Sequence, residues 1–304
     1  MIQVCKKIYN QLKLIYRTED VCVSPSKKYI AFTGFETHKI LILSINTQLN
    51  IFDKYLVVTC KGFKKPHGVA WLDDNTLVVA NRFLNTIVFS FLNEDVSDTH
   101  KNITVYDILK HQIIKDYKDY KCSCVRACHR SDTTYDIFVC SNTEGYVLQF
   151  TYDTSLHSTL NSHVLFDSVL AIPDGIALNK NKSLIAVTDY KHSSTFIFHY
   201  SFNTYESTLI ATLKGAKFPH GVVFLNDSKI LTTCGGTPYV YEYSNTKEIW
   251  GGEYMFTSKY RCVEEELYNK HHINEMEGGA KGIDVYDNYI ITTCESTPFF
   301  MLKI

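Results

Sequence analysis

Two histidines and an aspartate hold the same place in a short repeated phrase. It reads Pro66-His67-Gly68-Val69-Ala70-Trp71, then Pro173-Asp174-Gly175-Ile176-Ala177-Leu178, then Pro219-His220-Gly221-Val222-Val223-Phe224. Imidazoles and carboxylates brought to equivalent places can ligate a divalent cation or move protons near neutral pH. Two copies also match further upstream, as Lys61-Gly62-Phe63-Lys64-Lys65 and Lys214-Gly215-Ala216-Lys217-Phe218. Aligning the rest of the chain on this phrase gives six strand openings, at Glu19, His67, about Cys124, Asp174, His220 and Lys281. The openings stand 46 to 61 residues apart, and all six positions are ionisable.

A period of that length marks stacked copies of one supersecondary unit, and here the unit must be made of strands. Each opening is followed by a second apolar run ending in a small or polar residue: Tyr29–Thr33, Leu77–Asn81, Ile137–Ser141, Leu184–Asp189, Ile230–Cys234 and Ile290–Cys294. Third runs follow, such as Lys39–Leu43 and Thr195–Tyr200, with hairpin turns such as Asn226-Asp227-Ser228 between. Outer fourth strands are expected at Ile51–Val58, Ile103–Ile108, His163–Val169 and Ser207–Leu213. The pattern is that of an all-β chain, a single six-bladed β-propeller over residues 1–304 with four-stranded blades. The sixth copy stops at Ile304 after its third run, so Ile2–Tyr9 is expected to supply the missing strand and close the ring. An insertion at about 245–278 separates blades five and six; Ile249–Phe256 reads as the fifth blade's outer strand and Arg261–Ile273 as a short helix or lid. In this geometry His67 and His220 lie three blades apart and face each other across the central tunnel.

Composition narrows the class. Twenty-one tyrosines and eighteen phenylalanines suit strands, and 45% hydrophobic with 21% charged residues is globular. A net charge of −1 provides no field for nucleic acid or an anionic membrane, and pairs such as Lys64-Lys65 read as solvated turns. No apolar run reaches the length of a signal peptide or a membrane span, and ten cysteines are too sparse for a disulfide scaffold. The expectation is a cytoplasmic protein with reduced thiols. Cys122, Cys124 and Cys128 share one strand face, but no second ligand pair exists elsewhere to complete a structural zinc site. Neither a nucleophile elbow nor a phosphate-cradling glycine loop occurs.

The Pro-Asp-Gly-Ile-Ala-Leu opening, with Ser183–Asp189 after it, resembles the regucalcin/gluconolactonase and strictosidine synthase-like propellers, and shares its rhythm with NHL-repeat proteins. That resemblance implies one divalent cation on the axis with substrate bound over it. Position by position, it implies Glu19, Asp174 and His220 as metal ligands, with His220 standing where that family has an aspartate. Imidazole in the set opens the ion's identity to zinc, manganese or calcium. The Pro-His openings also resemble virginiamycin B lyase and the peptidylglycine amidating lyase, propellers with axial histidines. The function expected is a lactonase- or esterase-like hydrolase of a small molecule, with His67 and Asp174 catalytic. Asn81, Asp189 and Lys281 are expected to contact substrate, and Arg126 to meet an acidic substrate group. A lyase using the axial histidines, and a non-catalytic propeller that binds a protein or peptide, are the alternatives. A polar residue at a strand opening can also serve only to bond a neighbouring blade.

Overall fold

A computed structural model describes residues 3–46, 51–83, 86–90, 99–102, 121–247, 249–294 and 299–304. Six antiparallel sheets are arranged as the blades of a propeller, each opening on the strand nearest the axis. Blade one is Thr18–Val23, Tyr29–Gly34, Lys39–Asn46 and Ile51–Thr59; blade two is Pro66–Asp73, Thr76–Asn81 and Ile87–Ser90. Blade three runs Cys122–Ser131, Thr134–Ser141, Tyr146–Asp153 and Ser158–Leu165, and blade four Pro173–Leu178, Leu184–Asp189, Ser194–Tyr200 and Ser207–Lys214. Blade five is Pro219–Asn226, Lys229–Cys234, Tyr239–Ser244 and Ser258–Arg261; blade six is Ala280–Tyr286, Tyr289–Cys294 and Phe300–Lys303. Apolar cores lie between neighbouring blades, as with Ile176 and Val187 of blade four against Phe138 and Cys140 of blade three.

The glycine of the repeated phrase has a steric cause. A Cβ on Gly68 would lie 2.4 Å from the Ser123 carbonyl, one on Gly175 2.1 Å from that of His220, and one on Gly221 2.5 Å from that of Lys281. On Gly282 it would meet the Asp20 Cα at 2.5 Å and the Glu19 carbonyl at 2.8 Å. Each glycine therefore stands against the next blade's opening residue, at a distance no side chain tolerates. A threonine on the second strand completes the joint. Thr188 Oγ1 accepts from Gly175 N (2.6 Å) and donates to the His220 carbonyl (2.7 Å). Thr233 does the same between Gly221 N and the Lys281 carbonyl, and Thr33 between Asp20 N and the His67 carbonyl.

Three expectations are corrected. The chain's start does not close the ring as a strand of blade six: Gln3–Val4 pairs in parallel with Ile51–Thr59 of blade one, and Lys6–Ile15 is an α-helix. Ile8, Leu12 and Ile15 recur at helical spacing and pack into the core that blade one shares with Tyr286 and Ile291 of blade six. Blade six joins blade one directly, by Val23 N to Asp284 Oδ2 of its opening strand (2.7 Å) and by Thr18 Oγ1 to the Cys294 carbonyl of its second strand (3.3 Å). In the insertion, Gly252–Met255 pairs in parallel with the outer strand of blade four, and Ser258–Arg261 is the fourth strand of blade five. The expected helix is present over Glu265–His271. The third opening shifts by one residue: Cys122 pairs with Ser141 as Pro173 pairs with Asp189, which makes Ser123 the counterpart of Asp174. The outer strand expected at Ile103–Ile108 lies outside the described residues; Thr99–Asn102 pairs in parallel with Ile51–Thr59. Among the described residues no helix is long and apolar enough to cross a membrane.

Replacing Gly175 with alanine is expected to destabilise the protein by about 3 kcal/mol or more in urea unfolding, because the obstacle is backbone. Gly251→Ala, where nothing lies within 4 Å, is the control and should shift stability by no more than about 0.5 kcal/mol.

Candidate functional site

The register puts six equivalent side chains around the axis in the order Glu19, His67, Ser123, Asp174, His220 and Lys281. All six are buried. His67 and His220, three blades apart, face each other with ring planes 3° from parallel and centroids 5.7 Å apart. Both present Nε2 to Glu19 Oε2, at 3.8 Å from His67 and 3.6 Å from His220. Lys281 Nζ stands 3.3 Å from the same oxygen, and Arg17 donates through Nε to the other oxygen, Oε1. Asp174 Oδ2 lies 3.2 Å from His220 Nε2, while its Oδ1 accepts from Asn142 Nδ2 (3.3 Å).

These contacts fix the protonation states. Burial pulls the His67 imidazole down to about 3, with help from the Arg82 and His220 charges and against the pull of Glu19. Burial lowers His220 as well, although Asp174 and Glu19 oppose it. Burial works the other way on Glu19, but Lys281, His67, Arg17 and His220 reverse it and hold that carboxyl well below the usual range. Asp174 is likewise lowered against burial, with His220 and His67 as its main partners. At neutral pH the site holds two uncharged imidazoles beside two carboxylates, the form in which each is a ligand.

The donor set fits a metal ion. One atom each of Glu19, His67 and His220 lie within 4.8 Å of one another. Glu19 Oε2 is buried and receives no hydrogen bond from the described residues. The cavity lined by these side chains with Asp174, Asp20 and Cys124 leaves about 10 Å³ open to a water-sized sphere, room for about one water or ion. Two imidazoles and a carboxylate suit zinc, manganese or iron better than calcium.

A second set of contacts joins blades one, two and three next to this ring. Blade one has Asp20 where blades two, four, five and six have glycine, and Arg126 of blade three reaches across to it with bonds of 2.8 and 3.1 Å. The guanidinium also donates to the Val69 and Val125 carbonyls (3.2 and 2.8 Å), and Asp20 Oδ2 accepts from Val69 N (3.0 Å). Arg126 is thus a bolt between blades, in place of the substrate contact expected of it.

Asn81 and Asp189 are drawn away from the axis. Asn81 accepts from Lys64 N and donates to the Gly62 carbonyl, and Asp189 accepts from Ala171 N, Ile172 N and His192 N. Both hold the loop that precedes the repeated phrase. The sequence reading did not single out Arg17 or Asn142 for the site. Arg17 stands two residues before Glu19, and Asn142 follows the second strand of blade three. The Cys122, Cys124 and Cys128 thiols do not converge: a bulge sends Cys122 into one inter-blade core and the other two into the next. All ten cysteines are free.

No protein-family model matches the sequence, and no curated protein matches it significantly. The fold is similar to that of a luciferin-regenerating enzyme, at 9% identity and a TM-score of 0.61 over 92% of this chain and 84% of that one. It is similar to regucalcin from Agrobacterium tumefaciens, a calcium-binding protein, at 10% identity and a TM-score of 0.58 over 91% and 82%. A protein of unknown function from Desulfotomaculum acetoxidans aligns at 15% identity and a TM-score of 0.60 over 95% and 83%. The likeness is one of fold.

A pH prediction follows from the histidines. In the metal-free protein His67 stays unprotonated down to about 3, whereas unfolded histidine takes its proton at about 6.5. Between those values the unfolded state binds more protons, so stability falls as pH falls. His67→Gln should flatten the dependence of urea-unfolding stability on pH between about 4 and 6.5, above the range of the carboxylates. An unchanged slope would place the imidazole's proton affinity near its ordinary value.

Proposed function

We propose that the chain is a metal-dependent hydrolase of a small ester or lactone, working at the mouth of the tunnel over the axial ring. The observation that carries this reading is the convergence of Glu19, His67 and His220 on a one-ion cavity, with the carboxylate oxygen Oε2 left without a hydrogen bond. Glu19 Oε2 and the two Nε2 atoms would hold the ion, and a zinc- or manganese-type ion there would polarise a carbonyl and acidify water.

Each axial residue then has its own part. His67 moves from the general base expected of it to a ligand, because its Nε2 points at Oε2 as that of His220 does. Asp174 is the base. Its Oδ2 lies within hydrogen-bond reach of His220 Nε2, and with that nitrogen's lone pair given to an ion the carboxylate would lose this donor. It is then an ionised, buried acceptor beside the mouth, able to take a proton from water attacking the substrate. Asn142 keeps it in place by bonding Oδ1 and the preceding Pro173 carbonyl. Next to the ring, the Asp20–Arg126 pair ties blades one and three together.

A second reading, a non-catalytic ligand-binding propeller, is favoured by the Lys281–Glu19 ion pair, which already balances the axial carboxylate. Elemental analysis separates the two. Wild type is expected to carry about one transition-metal ion per chain, lost in Glu19→Gln and in the His67→Ala/His220→Ala double variant. Asp174→Asn should retain the ion and lose hydrolysis of lactones or aryl esters by about 10²-fold or more. A wild type that takes up no zinc, manganese or calcium on incubation ends the metalloenzyme reading.

A further inference from the structure

Lys281 completes the axial ring, and its ammonium points at the oxygen around which the proposed ion site is built. Nζ is nearer to Glu19 Oε2, at 3.3 Å, than either imidazole nitrogen, at 3.6 and 3.8 Å. The side chain is 6% exposed. Its backbone cannot retreat, since the carbonyl accepts the Thr233 hydroxyl and lies hard against Gly221. A buried ammonium persists beside a counter-charge, and Glu19 supplies one here. Arg17 bonds the other oxygen of that carboxylate, so Glu19 faces two cations before any ion enters.

Resting on the metal-site reading above, we infer that Lys281 is a resident counter-cation that competes with the metal for Glu19 Oε2 and thereby sets ion selectivity. A carboxylate holds a zinc-type ion at about 2.0–2.2 Å, and an ammonium 3.3 Å from the same oxygen would strongly repel it in so dry a site. Entry of the ion therefore drives Nζ off Oε2. Every divalent ion faces this opposition, but ions that bond imidazole offset it through His67 and His220. Calcium, which prefers oxygen ligands, gains little from those nitrogens. The lysine acts through Glu19 and is a positioning residue that biases the site toward transition metals.

Calorimetric titration of wild type, Lys281→Met and Lys281→Arg with zinc, manganese and calcium chlorides at one fixed neutral pH tests this, with circular dichroism confirming the fold. Lys281→Met is expected to bind zinc about ten-fold tighter or more and to gain measurable calcium binding, with Lys281→Arg at or below wild type. Equal zinc affinity in wild type and Lys281→Met, with one ion bound in each, would overturn the inference and leave the metal site standing. Failure of all three proteins to bind any ion would overturn both. A crystal structure of zinc-loaded wild type needs no variant. Nζ beyond about 4 Å from Oε2 agrees with displacement, and an ammonium still seated there beside the ion refutes it.

Discussion

Close approach of backbone to backbone at the axis governs what is built on it. Gly68, Gly175, Gly221 and Gly282 each press on the opening residue of the following blade, at separations that exclude even a methyl group. The carbonyls of His220 and Lys281 are held by the glycine on one side and a threonine hydroxyl on the other, and that of His67 by Thr33, so these side chains have fixed origins. Each hydroxyl bond contributes only about 1 kcal/mol, so their value lies more in orientation than in stability. The histidines therefore meet with nearly parallel rings, although 153 positions separate them in the chain.

Electrostatics follow from the same packing. A ring this tight excludes water, and burial alone would protonate the carboxylates and strip the histidines of any charge. Lys281 and Arg17 keep Glu19 ionised, while the imidazoles stay neutral. Burial and pairing thus act in opposite directions on neighbouring groups and leave the ring as a set of lone pairs.

The repeated phrase made the architecture legible because its proline, polar residue and glycine each answer to one physical demand at the axis. It placed Glu19, His67, Asp174, His220 and Lys281 on a common ring, which the register bears out. What escaped lay where that demand is relaxed. Blade three has neither the proline nor the glycine, so nothing in its residues marked the inward position, which the pairing of Cys122 with Ser141 gives to Ser123. The N-terminal segment was read for strand length, whereas the spacing of Ile8, Leu12 and Ile15 is helical. Asn81 and Asp189 pair with the prolines of the phrase, but their side chains bond the adjacent loop, a choice set by backbone geometry that strand periodicity does not encode.

The degraded copies are where the ring acquires its asymmetry. Blade one gives up the glycine for Asp20, and a carboxylate at that depth needs a buried cation. Blade three, whose opening is equally irregular, provides it in Arg126, which bonds atoms of blades one, two and three. The two irregular repeats are therefore complementary: the departure in one is satisfied by the departure in the other. Asp20 of that pair adjoins Glu19 and lines the same cavity. Because Asp20 follows Glu19 in the chain, fixing it to Arg126 and to Val69 N also fixes the backbone from which the Glu19 side chain departs.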